Sequence, residues 1–208
     1  MMELNLDMKI KEMVANCHRA GGYRLQLCSS GNISWRIDGK RVLMTASRSW
    51  IAEIEHKQIA VIDFESGESV NGVTPSVEKI FHLGVLREHE DANVVLHFQS
   101  PAATVLTCGD MAGIDFNVTP EFGYYIRSVG QVPFLTPGTR ELAEAVIACA
   151  KEHALVILQN HGQVTYGRDF NEAIQRAVFF EMICEIILRG GDNLKRLTPE
   201  QVASLTNA

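Results

Sequence analysis

The sequence predicts an α/β domain: a three-layer α/β/α sandwich around a mixed, largely antiparallel central sheet. Short runs rich in valine, isoleucine and leucine alternate with longer amphipathic ones, the pattern of strands packed between helix layers. Asp38-Gly39 lies between two strand-like runs, and such a pair joins antiparallel neighbours, so the sheet is not purely parallel. The 208 residues carry no repeat, low-complexity tract or linker, which suits one domain over residues 1–208.

The elements follow in order. Leu6, Ile10, Met13, Val14 and Cys17 recur at helical spacing, predicting a first amphipathic helix that stops near Gly21-Gly22. Ser29-Ser30-Gly31-Asn32 has loop composition and leads into a strand over 33–37. Asp38-Gly39 then turns the chain as a two-residue hairpin into a strand over 40–45. A further strand covers 59–64 and turns at Glu65-Ser66-Gly67. Thr74-Pro75-Ser76 opens a helix running to about Glu90: Thr caps, and Pro fits the first helical position, where its missing N–H costs nothing. A strand ending at His97 follows, then a second helix start at Ser100-Pro101. Residues 109–138, crowded with Gly, Pro and aromatics, read as strand fragments and loop. Leu142, Ala145, Val146 and Cys149 mark an amphipathic helix; a strand ending near His161 and another over 163–166 come next. The stretch from about Asn171 to Leu188 is apolar almost all round, as in a helix buried on several sides or in a subunit interface.

Composition excludes several classes. With 46% hydrophobic and 21% charged residues the chain is globular rather than disordered. A net charge of -6 argues against a general nucleic-acid binder, yet leaves a phosphorylated small substrate open, since a few local donors suffice for that. The five cysteines are odd in number and never spaced as CxxC, which argues against a disulfide scaffold or zinc knuckle and for free thiols in a reducing compartment. The start, Met-Met-Glu-Leu-Asn-Leu-Asp, is acidic where a signal peptide is basic, and no apolar run is long enough to cross a bilayer. A cytoplasmic protein with no membrane partner is expected.

Chemistry concentrates at a few positions. His97 and His161 each follow an apolar run and precede turn-forming residues, so each sits where the sheet stops and a cleft can open. Gln99 lies two residues after His97 and leaves an extended strand on the same face. Two histidines and one further ligand would leave a divalent ion an open position for substrate, although a strand-end histidine serves equally as a hydrogen-bonded structural residue. Glu78, near a helix start, either complements the helix dipole or, beside a metal, acts as ligand and general base. Ser30-Gly31-Asn32, Thr45-Ala46-Ser47 and Ser76 offer hydroxyl, amide and N–H donors that could converge on a phosphate; each singly reads as an ordinary turn.

Taken together, Ser30-Gly31-Asn32-Ile33-Ser34, Leu43-Met44-Thr45, Thr74-Pro75-Ser76-Val77-Glu78, Val94-Val95-Leu96-His97, Gly138-Thr139-Arg140-Glu141-Leu142 and Asn160-His161-Gly162 resemble, in order, the class II aldolase family, typified by L-fuculose-phosphate aldolase, which includes the adducin head domain. The resemblance runs from about residue 10 to 190. It implies a homotetrameric lyase, dependent on zinc or another divalent transition metal, that cleaves a phosphorylated ketose such as L-fuculose 1-phosphate to dihydroxyacetone phosphate and an aldehyde. By the same match His97 and His161 are metal ligands, Glu78 is the acid/base, and Gly31, Asn32, Thr45, Ser47 and Ser76 form the phosphate pocket.

Four departures accompany it. Gln99 stands where the family has a second metal histidine, and a neutral amide is a poorer zinc ligand than imidazole. Val77 replaces a hydroxyl residue. Arg48 replaces a Gly-rich turn; it either supplies the lost phosphate contact or is a surface arginine. The family's proton-donating tyrosine has no clean counterpart: Phe134 is near its place, and Tyr124 and Tyr125 lie upstream. His82 and His89 read as structural or exposed. These departures leave a related sugar-phosphate epimerase or dehydratase, or a non-catalytic binding module, as alternatives to an aldolase.

Overall fold

The computed structural model describes residues 2–111 and 113–206. Seven strands, β1 (Asn32–Arg36), β2 (Arg41–Thr45), β3 (Ile59–Asp63), β4 (Val94–Phe98), β5 (Val129–Val132), β6 (Leu155–Leu158) and β7 (Gly162–Gly167), form one sheet in the order β3-β2-β1-β4-β7-β6-β5. Every neighbouring pair is antiparallel except β5 and β6. That parallel pair needs a crossover, which the intervening helix supplies. The helices are α1 (Met2–Gly22), α2 (Lys79–Glu88), α3 (Pro101–Thr107), α4 (Arg140–Ala150), α5 (Phe170–Gly190) and α6 (Pro199–Thr206).

The sheet is covered on both faces, and the two-residue alternation of its strands feeds two cores. Val94, Leu96 and Phe98 of β4 pack with Met13 and Cys17 of α1 and with Ala177, Phe180 and Ile183 of α5. Val95 faces the other way, toward Phe81 and Val85 of α2 and Leu142 and Val146 of α4. All five residues of β4 are buried, which explains their unbroken apolar reading. The three-layer sandwich and mixed sheet are those predicted. No helix among the described residues is long and apolar enough to cross a membrane.

Local differences have physical causes. The first hairpin loop is three residues, closed by Ile37 N–H donating to Arg41 C=O at 3.0 Å. A two-residue type I′ turn needs positive φ at both positions, and neither Asp38 nor Gly39 has it. Instead the Asp38 carboxylate accepts from the Lys40 and Arg41 N–H groups at 2.9 and 2.8 Å.

Thr74-Pro75-Ser76 does not open a helix. It lies extended along the end of β2, with Ser47 N–H donating to Thr74 C=O and Ser76 N–H to Thr45 C=O. Pro75 occupies the bridge position opposite Ala46, where the ladder asks for no N–H. The helix α2 therefore starts three residues past Ser76, with Glu78 at its N-cap. Residues 109–138 hold one strand, β5, and an unforeseen helical turn over Phe122–Ile126, closed by Arg127 N–H to Phe122 C=O at 2.7 Å. His161 lies past the end of β6, in the turn to β7.

Candidate metal centre and active-site cleft

A cleft of about 410 Å³ opens at one end of the sheet. Its wall is made by the start of β1, the chain beyond β2, the approach to α2, the end of β4 and the β6–β7 turn. Two glycines let these segments close on β4. A Cβ on Gly31, which has φ +71°, would sit 2.5 Å from the His97 carbonyl oxygen; one on Gly162 would sit 2.6 Å from that of Phe98.

Glu78, His97 and His161 meet in this cleft. Their potential ligand atoms lie within 4.8 Å of one another. Glu78 Oε2 is 3.6 Å from His97 Nε2, and Glu78 Oε1 is 3.5 Å from His161 Nε2. The tautomer of His97 follows from its other nitrogen. Nδ1 is 2.9 Å from the Gln163 carbonyl oxygen, which can only accept, so Nδ1 carries a proton and Nε2 is the nitrogen turned toward Glu78 and available to a metal. Glu78 Oε1 is buried without any hydrogen-bond partner. Burial, reinforced by His97 and opposed by Glu78, pulls the His161 imidazole down to about 4, so it is neutral near pH 7. Two imidazoles and a carboxylate converging on a common point are a donor set that fits a divalent transition ion.

The other expected residues divide. Gly31, Asn32, Ser47, Arg48, Ser76 and Gln99 all line the cleft. Gln99 is half-buried, and its backbone N–H is spent on Leu25 C=O. Thr45 is not a lining residue: it is fully buried, and its hydroxyl accepts from Ile33 N–H at 3.2 Å. Arg48 is exposed in left-handed backbone, φ +62°, with no hydrogen bond or ion pair among the described residues. Val77 is on the wall and 64% exposed.

Tyr124 and Tyr125 line a different cavity, with Arg127, Lys151, Arg168 and Arg176, and Phe134 is exposed outside the cleft. His89 is structural, 2.9 Å from Ala150 C=O and stacked on Tyr166. Sequence reasoning missed Ser29 and Pro137, which complete the wall, and set aside His82, which is fully buried behind it. The signal for His82 was present: it stands four residues after Glu78, on the same helix face.

A model of the family described as Class II Aldolase and Adducin N-terminal domain matches residues 11–188. The chain is similar to a 3-oxo-tetronate 4-phosphate decarboxylase of Haemophilus influenzae, 28% identical over 208 residues, covering 97% of this chain and 98% of the relative. It is also similar to an L-fuculose phosphate aldolase of Methanococcus vannielii, 30% identical over 179 residues, covering 86% and 95%. Among solved structures, YgbL from Escherichia coli superposes with a TM-score of 0.87 at 25% identity, over 96% of this chain and 98% of that one.

Proposed function

The chain belongs to the class II aldolase and adducin N-terminal domain family, and within it we propose a metal-dependent carbon–carbon lyase that decarboxylates a phosphorylated 3-oxo acid. The second reading is retro-aldol cleavage of a phosphorylated ketose such as L-fuculose 1-phosphate. The observation that carries the lyase reading is the meeting of Glu78, His97 and His161 in a cleft, their potential ligand atoms within 4.8 Å of one another.

An ion held by His97, His161 and Glu78 would serve as a Lewis acid for the substrate's carbonyl oxygen, as charge develops there. Both reactions break the bond between the α- and β-carbons counted from that carbonyl and leave the electron pair on the α-carbon. From 3-oxo-tetronate 4-phosphate and from fuculose 1-phosphate alike, protonation of that carbon gives dihydroxyacetone phosphate. Only the departing fragment differs, carbon dioxide in one case and an aldehyde in the other.

That difference selects between them. Retro-aldol cleavage requires a base to take the hydroxyl proton from the departing fragment. Decarboxylation requires none, because the carboxylate leaves as carbon dioxide and a single proton is then delivered to the α-carbon. Glu78 would take that proton from solvent water and pass it to the α-carbon, and neither Tyr124 nor Tyr125 lines the cleft to serve as a hydroxyl base. The decarboxylase named above supports the same choice. Gly31, Asn32, Ser47 and Ser76 would hold the phosphate, with Arg48 as its cation. Gln99 would be at most an auxiliary neutral ligand, and Thr45 would brace β1 from behind. A cytoplasmic homotetramer completes the proposal, supported by the apolar outer face of α5, where Val178, Phe179 and Met182 are only half-buried.

The test measures metal content, dihydroxyacetone phosphate and trapped carbon dioxide for both substrates, before and after chelation and for Glu78→Gln. Carbon dioxide and triose phosphate in equal amounts from the oxo acid, lost on chelation and in the variant, support the first reading. Cleavage of fuculose 1-phosphate alone overturns it in favour of the second. Neither metal nor turnover on either substrate overturns both and leaves a binding module.

A further inference from the structure

We propose that His82, on α2, is a positioning residue: through Asn32 it directs the hydrogen bonds that aim Glu78 at the metal site and free the Ser76 hydroxyl proton for an anion in the cleft. The inference rests on the functional reading above only for the identity of the reaction.

His82 has no solvent exposure, and its ring stacks on Phe81 with centroids 4.7 Å apart. Its Nε2 is 2.5 Å from Asn32 Oδ1, and its Nδ1 is 2.8 Å from Ser34 Oγ. An amide oxygen only accepts, so Nε2 carries the proton and donates it to Asn32. In a neutral imidazole Nδ1 then holds a lone pair, which receives the Ser34 hydroxyl. Burial first, and the neighbouring His97 second, hold this imidazole well below its ordinary range, so the chain of donors runs one way.

With Oδ1 committed, both amide hydrogens of Asn32 point toward the cleft. Nδ2 donates to Glu78 Oε2 at 2.8 Å and to Ser76 Oγ at 3.0 Å. One carboxylate oxygen is thereby tethered, and the other, Oε1, is left facing His161. Ser76 Oγ also accepts from Glu78 N–H at 3.3 Å. Both its lone pairs are then used, and its proton has no acceptor among the described residues, although Ser76 lines the cleft. Turning the Asn32 amide over would set its oxygen against the Glu78 carboxylate and its NH₂ against the His82 N–H. The buried imidazole therefore governs the acid/base and the anion donor together without a hydrogen bond to either.

The experiment compares His82→Phe, His82→Gln and Ser34→Ala in the full chain. Three quantities are read: zinc affinity by chelator competition, inorganic phosphate affinity by calorimetry, and kcat with KM. Phe fills the space without a donor, whereas Gln can still donate to Asn32. Expected for His82→Phe are losses of about 10-fold or more in zinc and phosphate affinity and in kcat, largely restored in His82→Gln. Nitrogen-resolved NMR of the wild type should show His82 as the neutral Nε2–H tautomer. A folded His82→Phe protein within twofold on all three readouts overturns the proposal, as does the Nδ1–H tautomer. If His82→Phe does not fold, the tautomer decides, together with Ser34→Ala, which should weaken zinc and phosphate binding severalfold. If the wild type turns over neither substrate, the functional reading fails, while the two affinities and the tautomer still judge the relay.

Discussion

Glu78→Gln should raise the melting temperature of the metal-free protein and lower that of the metal-loaded one. Glu78 is only 6% exposed, one of its oxygens has a single side-chain donor and the other has none. Leaving a buried charged acceptor unsatisfied costs about 1–3 kcal/mol. Glutamine keeps its shape: its oxygen can hold the Asn32 bond, while its amide removes the buried charge and can donate toward His161 Nε2, 3.5 Å from Oε1. A gain of about 2 kcal/mol corresponds to roughly 4–8 °C in a chain of this size.

The loaded protein reverses the order. A ligand at 1,000 times its Kd stabilises the fold by about 4 kcal/mol, or roughly 8–16 °C. If loss of the anionic ligand weakens the ion 1,000-fold, the variant keeps only about 0.4 kcal/mol of that at the same concentration. Calorimetry with a chelator and then with excess zinc reads both forms, and the two melting curves should exchange places. A variant that melts below the wild type under both conditions would refute the reasoning, because Glu78 would then be a structural carboxylate satisfied without an ion.

Two further outcomes follow from the same site. Arg48→Gly should raise KM for a phosphorylated substrate about 10–100-fold through loss of a charge-assisted pair, while removal of a left-handed arginine leaves the melting temperature unchanged or about 1–3 °C higher; a fall in melting temperature with unchanged KM contradicts this. In the chelated protein, stability should fall with pH below about 6.5, where the unfolded His161 takes up a proton that the folded one, at about 4, refuses, and should level off below that; His82, also held low by burial, acts in the same direction, and a urea midpoint that does not change between pH 7 and 5 counts against it.

What could be read from the chain was what depends on local periodicity. The apolar runs of β4 and β6 and the helical spacing of α1 and α4 give strand and helix directly, because each pattern reports its own burial. The histidines at strand ends and the neighbouring glycines could be read for the same reason. What escaped depends on a partner far along the chain. Pro75 looks like a helix start until Ala46 is seen opposite it. Thr45 looks like a phosphate ligand until its hydroxyl is found on Ile33 N–H. The Phe122–Ile126 turn has no pattern of its own, and its aromatics face different ways, Phe122 into the core on Phe116 and Tyr125 outward on Phe179 of α5. His82 carried a helical spacing from Glu78, but its role exists only through Asn32, which the fold brings from β1.

The departures from the family pattern cohere better with decarboxylation than with a retired site. A cation opposite the departing carboxylate would stabilise the substrate more than the transition state, in which the charge has moved toward the carbonyl. The cleft-lining residue just past β4, in the same cleft as the proposed metal ligands, is the neutral Gln99, whose amide can orient a carboxylate without trapping it. The cation Arg48 lies beyond the end of β2, which is separated from β4 by β1. Anion donors on the β1 and β2 side of the cleft and a neutral amide just past β4, with Glu78, His97 and His161 in the same cleft, suit the two unlike anions of a four-carbon 3-oxo acid phosphate. Retro-aldol cleavage adds the need for a hydroxyl base, and within one chain neither Tyr124 nor Tyr125 lines the cleft.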